Sequence, residues 1–336
     1  MFRGLQLASK RASSVRAANV RAIGLTTLKS HQCRQLSNTI NSMNSAAGEK
    51  NLTSISPEER EHFNQLASSW WNVHGPQRIL HKMNILRMEF ITETIRDNLD
   101  LNKDIVDPEE KIYIPGYNYQ NILPNEVSKA ISLEKNEKIN ELYNELTLDC
   151  LDIGCGGGIL SESISRLPIV NKVKGIDLSP SVLEVAKKHK SLDPMIEDKI
   201  DYELTSIEEL SKDSQFDIVT MFEMLEHVDY PSQVLKNALE HVKPGGYVFL
   251  STINRDFISW FTTIFMGEHI LRIVPVGTHT YSKYINQVEV SEWFQTNASN
   301  FEVISSKGCI YLPLKGWVFT DNSNVGNYFM AIKRKA

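Results

Sequence analysis

The chain has no acidic side chain among its first 48 residues. The first is Glu49, and seven basic residues precede it: Arg3, Lys10, Arg11, Arg16, Arg21, Lys29 and Arg34. That stretch also lacks the continuous apolar core of a secretory signal; Ser, Ala, Thr and Asn fill the spaces between the charges. An acid-free start rich in Arg and small polar residues is the composition of a mitochondrial transit peptide. Arg34-Gln35-Leu36-Ser37 suits a protease cutting after Leu36, so residues 1–36 are read as a presequence and the polar stretch 37–55 as a linker. A basic tail that binds nucleic acid is the alternative for 1–36. Seven of the 36 basic residues lie there, so the remainder sets 29 Lys and Arg against 41 acids, a net charge of −12. So acidic a body repels the phosphate backbone, and no nucleic-acid partner is expected.

Long apolar runs are missing too. None reaches the roughly 18–20 residues that cross a bilayer, and the most apolar stretch, F-I-S-W-F-T-T-I-F-M (257–266), already carries a serine and two threonines. Cysteine is scarce: Cys33, Cys150, Cys155 and Cys309 show no C-x-x-C spacing. That spacing argues against a disulfide framework or a cysteine-based zinc site, and a reducing compartment fits it.

What is present is an alternation of strands and helices after residue 147. T-L-D-C-L-D-I (147–153), V-K-G-I-D (173–177), I-D-Y-E-L (200–204), F-D-I-V-T-M-F (216–222) and Y-V-F-L-S-T (247–252) read as buried strands. Helices are expected over 158–166 and 179–189, the second capped by Ser179 with Pro180 at its first position. Val242-Lys243-Pro244-Gly245-Gly246 reads as the stop of the helix before the fifth strand. This succession predicts a doubly wound α/β fold with a parallel sheet and helices on both faces. Residues 301–306 and 327–333 suit a closing pair of strands. Upstream, S-P-E-E-R (56–60) carries a capping box on Ser56 and Glu59, followed by Phe63, Leu66, Ala67 and Trp70 at helical spacing. A second helix is expected over 83–95. Residues 102–145, with weak periodicity, two turn signals and a charged helical end, read as an insertion within one domain spanning 56–336.

Two features carry chemistry. The first strand ends in Gly154-Cys155-Gly156-Gly157-Gly158-Ile159, a turn that brings backbone close to a ligand. The dinucleotide fingerprint G-x-G-x-x-G fails because Ile159 holds its last position, and no G-K-[ST] of a P-loop follows. The second feature is M-F-E-M-L-E-H-V (221–228). On a helix, Glu223, Glu226 and His227 at i, i+3 and i+4 would share one face.

The pattern Asp152-x-Gly154-x-Gly156-x-Gly158, with Asp177 ending the second strand, F-D-I-V-T-M-F and V-K-P-G-G-Y-V-F, resembles class I S-adenosylmethionine-dependent methyltransferases. Four motifs stand in order over about 100 residues. L-D-I-G-C-G-G-G-I-L-S-E-S, E-M-L-E-H-V, V-K-P-G-G, S-T-I-N-R, I-L-R-I-V-P-V-G-T-H and the upstream S-S-W-W and H-K-M-N-I-L-R narrow the resemblance to the ubiquinone-biosynthesis O-methyltransferase family over most of 60–335, the insertion excepted. That resemblance implies a mostly parallel seven-stranded sheet with one antiparallel closing strand. It implies methyl transfer to a ring hydroxyl of polyprenylated catechols, with S-adenosylmethionine as cofactor and Mg²⁺ or another divalent cation as an aid. It implies a place in the mitochondrial matrix, peripheral on the inner membrane, in a complex with other ubiquinone-biosynthesis enzymes. A methyltransferase on a carbon or nitrogen acceptor and a non-catalytic lipid-binding scaffold are the alternatives.

Carried over position by position, the family's cofactor contacts fall on Arg87, Gly154, Asp177 and Phe222. Arg87 would pair with the carboxylate of the methionine portion, Gly154 would let the chain pass close to it, Asp177 would accept from the ribose, and Phe222 would pack on the adenine or sulfonium side. Ser206 and Ile207 are weaker candidates for the adenine edge. The family's metal site maps onto Glu223, Glu226 and His227. A cation held there would lower the pKa of a catechol hydroxyl, ordinarily near 10. His227 as a metal-free general base, or a solvated turn at a helix N-terminus, are the other readings of the trio. His279, in V-G-T-H-T-Y, is a further candidate near the substrate. Direct transfer needs no covalent enzyme intermediate, so Cys155 reads as a small loop residue. Within 255–285, the apolar residues of 257–276 would line a prenyl channel or meet the membrane face, unless they form a plain buried helix.

Overall fold

The computed structural model describes residues 57–102, 107, 111, 120–270, 277–312 and 315–336. The expected presequence and linker, the expected Ser56 cap, most of the first half of the expected insertion and residues 271–276 lie outside the described residues.

Strands come first, because apolar side chains recur on both faces of β1, β4 and β5 and on one face of the outer strand β3. β1 (Leu148–Ile153), β2 (Val170–Asp177), β3 (Ile200–Leu204), β4 (Phe216–Phe222) and β5 (Val242–Ile253) pair in parallel in the order β3-β2-β1-β4-β5. Parallel strands covered on both sides read as near-continuous apolar runs, and the central β1, β4 and β5 do. Cys150, Ile218 and Phe249 bury on one face of the sheet; Leu151, Val219, Val248 and Leu250 bury on the other. Each such Leu or Phe removed from water contributes about 1.5–3 kcal/mol.

Three more strands extend the sheet beyond β5. β8 (Asn327–Arg334) runs antiparallel to β5, β6 (Phe301–Leu312) antiparallel to β8, and β7 (Gly316–Thr320) antiparallel to β6. The sheet therefore has eight strands rather than the seven expected. Trp317, Val318 and Phe319 of β7 earn their place by packing, since Trp317 and Phe319 rest on the cluster around Phe90, Phe249 and Phe329.

The helices supply the covering layers. α1 (Pro57–Leu66) passes into a single 3₁₀ turn at Ala67–Ser69, and α2 (Arg78–Asp97) follows. α2 buries Met83, Leu86, Arg87, Phe90, Ile91 and Ile95, a 3.6-residue stripe laid on the sheet. Phe90 meets Phe249 and Phe329 at 6.0 and 5.7 Å between ring centres. α3 (Asn125–Glu145) is the charged end of the insertion. α4 (Ile159–Ser165), α5 (Pro180–Lys190) and α6 (Pro231–Glu240) are the crossovers of the parallel half. Ser179 caps α5, its hydroxyl accepting from the Val182 N–H, with Pro180 at the first position as expected. A short helix α7 (Phe257–Ser259) continues into a π-helix (Trp260–Ile270), and α8 (Gln287–Asn297) precedes the terminal strands. Among the described residues no helix is long and apolar enough to cross a membrane.

Strand order reverses between β1 and β4, and the carboxyl ends of β1, β2, β4 and β5 finish at one edge. In open α/β sheets that edge is where ligands bind.

Candidate active site

A cavity of about 420 Å³ opens at that edge. Its walls collect nearly every residue singled out in the sequence: Arg87, Gly154, Asp177, Phe222, Glu223, Glu226, His227 and His279 all line it. Cys155 lines it too, but burial lifts its thiol well above the ordinary range, so it stays protonated and is no nucleophile. Ser206 and Ile207 are buried away from the cavity wall, and Ile207 packs in the core beside Leu210 and Met221.

The glycine loop is shaped by what presses on it. Gly154 has φ +70°, and a Cβ there would come within 2.8 Å of the Met224 side chain. Trp70 lies on the next turn of the loop: a Cβ on Gly157 would meet its ring at 2.1 Å. Asp152 sits beneath, fully buried, with one carboxylate oxygen accepting from Thr220 at 2.7 Å and the other from Ser161 at 2.6 Å. It holds β1, β4 and α4 together. Asp177 accepts the Gly156 N–H at 2.9 Å and the Ser179 N–H at 2.8 Å. Those bonds fix its carboxylate at the cavity wall, with lone pairs left for hydroxyl donors.

Arg87 is the anomaly that points to a ligand. It is 6% exposed, its Nε has no hydrogen-bond partner, and among the described residues its one polar contact is the Met83 sulfur at 3.8 Å. The guanidinium rests 5.3 Å over the Phe222 ring. Burial pushes its pKa down, and the Glu223 and Asp152 carboxylates oppose that shift. A buried guanidinium left without a carboxylate is costly unless an anion completes it. The free carboxylate of S-adenosylmethionine is such an anion, so the residues present fit this cofactor.

The acidic turn departs from expectation. Glu223, Glu226 and His227 do not share a helix face, because only Leu225–His227 is helical, as one 3₁₀ turn. Glu223 lies before it with φ +51°, a left-handed conformation that costs a non-glycine residue about 1 kcal/mol or more. Its backbone N–H donates to the Ser251 carbonyl and hydroxyl at 3.2 and 3.1 Å, and its carboxylate accepts from the same hydroxyl at 2.6 Å. Val228, extended at φ −105° and ψ 150°, ends the turn, and Tyr230 before Pro231 is not helical either. Glu226 is 4% exposed and accepts from Thr252 at 2.7 Å. Its carboxyl is pushed up to about 7, first by burial and then by Glu223, with His227 opposing. The Phe63 ring meets His227 edge-on at 5.2 Å.

The donor chemistry of this trio suits a divalent cation, but the arrangement does not. Each carboxylate is turned onto a β5 hydroxyl, and among the described residues no three His, Cys, Asp or Glu side chains are grouped to hold a metal ion.

Two features escaped the sequence reading. The spacing places Trp70 on a helix stripe, and S-S-W-W carries family resemblance, but neither reveals that its ring covers the glycine loop. Glu268, fully buried, bonds His279 at 2.9 Å; its signal was a lone acid at the end of the apolar run 257–266.

A family model described as "Methyltransferase domain" matches residues 121–306. "Ubiquinone biosynthesis O-methyltransferase, mitochondrial" of Candida albicans is 57% identical over 288 residues, covering 85% of this chain and 87% of that protein. The Saccharomyces cerevisiae protein of the same name is 50% identical, covering 84% of this chain and 89% of its own length. A bacterial relative, "Ubiquinone biosynthesis O-methyltransferase" of Hydrogenovibrio crunogenus, is 36% identical and covers 83% and 94%. With its glycine loop, Asp177 and unpaired Arg87 gathered at one sheet edge, the chain belongs to the ubiquinone biosynthesis O-methyltransferase family and is an S-adenosylmethionine-dependent O-methyltransferase.

Proposed function

We propose that this protein methylates a ring hydroxyl of polyprenylated catechols, 3,4-dihydroxy-5-polyprenylbenzoate and 3-demethylubiquinol, at the matrix face of the inner mitochondrial membrane. One observation carries the reading: a single cavity joins the unpaired Arg87 guanidinium to an acidic wall and an apolar side. Arg87, Gly154, Asp177 and Phe222 would hold the cofactor, which supplies a sulfonium-activated methyl group. Glu223, Glu226 and His227 face the same space and can accept hydrogen bonds from adjacent ring hydroxyls. Ile258, Met266 and Ile310 give the cavity an apolar side suited to a prenyl chain.

The outer surface of the segment that supplies Ile258 and Met266 supports a membrane partner. Phe257, Ile258, Trp260, Phe261 and Phe265 are exposed, and the four aromatic rings follow one another at 5.5–6.2 Å. Contiguous exposed apolar area of this kind marks an interaction surface, and aromatic side chains on a helix suit a lipid interface. A mitochondrial location is supported by the names of the fungal relatives and by the acid-free start of the chain. A complex with other enzymes of ubiquinone synthesis belongs to the proposal on the family's strength alone.

Metal assistance is a second reading, favoured by the Glu226 carboxyl. Two carboxylates burdening one buried turn, one of them raised to about 7, is a charge excess that a cation would relieve. As the side chains stand they do not form the site, so no step is assigned to a metal. The test supplies labelled S-adenosylmethionine and a short-chain prenylated catechol, with EDTA and with Mg²⁺. Label on a ring oxygen is expected, and transfer that survives EDTA removes the metal reading. No transfer under any metal condition would overturn the enzyme reading.

A further inference from the structure

A second acid–base pair stands at the cavity wall, where His279 lines the space and Glu268 lies buried behind it. Glu268, in the π-helix, is 1% exposed. Its carboxylate accepts three bonds from one short loop: the Gly277 N–H at 2.6 Å, the His279 N–H at 2.8 Å and His279 Nδ1 at 2.9 Å. Burial alone would raise the Glu268 pKa, but the His279 ring and the two backbone N–H groups hold it below the ordinary carboxylate value. An ionised acceptor at Nδ1 keeps the ring proton there and leaves Nε2 with its lone pair. The His279 side chain lines the cavity that carries Arg87 and the acidic turn. A buried carboxylate, an imidazole of fixed tautomer and an open cavity are the parts of a general base.

We infer that His279 accepts the proton of the hydroxyl that is methylated, with Glu268 as its positioning residue. The inference rests on the acceptor being a hydroxylated ring, as proposed above. In the step, the oxygen forms a bond to the methyl carbon as its O–H bond breaks. The carbon–sulfur electron pair remains on sulfur, which loses its positive charge. The proton passes to Nε2, and the resulting imidazolium is stabilised by Glu268 until water takes the proton. No oxidant or further reactant is needed.

Why not the acidic turn? Glu226 is tied to Thr252, shares its burden of negative charge with Glu223, and suits holding the neighbouring hydroxyl. His279 carries no such load. Among the described residues, the ionisable groups around it are Glu268 on the π-helix, Tyr284 with its ring centre 6.3 Å away, and His62 of α1, 3.5 Å from the Thr278 hydroxyl. Across the cavity stand Arg87, Glu223, Glu226 and His227.

The test first establishes transfer by the wild-type protein, since failure there is failure of the proposed function and not of this inference. With transfer in hand, His279→Ala should lower kcat by about 10²–10³-fold while KM and cofactor Kd stay within about twofold. Added imidazole should restore part of the rate, which a merely structural histidine would not allow. His279→Gln, which keeps a side-chain amide of similar reach, should be equally slow. Nitrogen-15 NMR of the cofactor-free protein should show the wild-type proton on Nδ1 of His279, and a mixed tautomer in Glu268→Gln. Undiminished turnover by His279→Ala, loss without imidazole rescue, or a wild-type proton on Nε2 would each overturn the inference. The first of these would pass the role to Glu226 or His227.

Discussion

The indole N–H of Trp71 donates to the carbonyl of Gly157 at 2.8 Å, fastening the segment after α1 to the glycine loop 86 residues further on. The ring of Trp71 also stacks on His189 at 3.4 Å, and Glu162, buried, accepts from His189 Nδ1 at 2.8 Å. Trp70 beside it covers Gly156 and Gly157 and lines the cavity. One wall of the cofactor space is therefore an N-terminal segment held by a few side chains, not by sheet hydrogen bonds. Elements held this way open at lower free energy than the core.

Trp71→Phe tests that latch. Phenylalanine keeps a ring for His189 and loses the bond to Gly157, a net loss of about 1 kcal/mol. Hydrogen exchange in residues 60–77 should speed up roughly fivefold, and the off-rate of S-adenosylmethionine should rise with it. Exchange in β1 and β4 should not change.

Gly157→Ala presses from the other side. The new methyl would lie 2.1 Å from the Trp70 ring, so either the indole or the loop must move. Displacing a buried tryptophan costs on the order of 3 kcal/mol. The expected result is a lower Tm together with faster tryptic cleavage near Arg60, recorded by mass spectrometry.

Arg87→Met separates a ligand-binding arginine from a structural one. Methionine fills most of the volume without a charge, and replacing an unpaired buried ion by an apolar side chain is often neutral or stabilising. Tm without cofactor should hold or rise. Cofactor Kd should weaken by about 10- to 100-fold, the worth of a charge-assisted pair to a carboxylate. Calorimetry reads the second quantity and a thermal melt the first; a fall in Tm with Kd unchanged would make Arg87 a fold residue.

How legible these parts were depended on whether a local pattern carried them. The parallel strands were legible because Leu151, Val219 and Val248 sit in runs buried on both faces. β5 began earlier than expected, at Val242, since Pro244 and Gly245 are accommodated in the strand. β7 forms a hairpin with β6 at the sheet edge, and its packing partner is distant in sequence: Trp317 packs near α2 and donates to the Ile79 carbonyl at 3.1 Å, which no local pattern reveals. Arg87 had a readable signal, a charge on the stripe Met83, Leu86, Phe90 and Ile91, although only family resemblance gave it a role. The helix assigned to the acidic turn failed on backbone grounds. Glu223 takes φ +51° to pair with Ser251, a long-range bond that spacing cannot reveal. The Glu268–His279 bond likewise joins residues 11 apart through a loop.

Glu226→Gln reads out the charge excess on that turn. The folded-state pKa of Glu226, about 7, lies above its ordinary value of 4.5. Between those values the folded protein binds more protons than the unfolded chain, so this group's contribution falls as pH rises through the window. Below about pH 4.5 it is fully present; above about pH 7 it is lost. Glutamine removes that dependence, so the variant should melt higher than wild type at pH 8, by an amount worth about 1–3 kcal/mol, and the gap should close toward pH 5. Added Mg²⁺ should raise the wild-type Tm at pH 8, and not that of the variant, only if a cation is held there. Identical pH profiles would mean that Glu226 is not strained.

Trp260→Glu and Phe261→Glu test the membrane surface without touching the cavity. Both side chains are more than a third exposed and neither lines the cofactor space, so fold and cofactor Kd should be unchanged. Burying such a ring in the headgroup region contributes about 1.5–3 kcal/mol, and a glutamate adds repulsion from anionic lipid. Binding to liposomes containing an anionic phospholipid, measured by co-sedimentation, should weaken at least tenfold for each variant. Turnover of a long-chain prenylated catechol presented in those liposomes should fall in parallel, while a short-chain soluble substrate should react at the wild-type rate. Wild-type liposome binding by both variants would leave the aromatic ladder without a lipid partner.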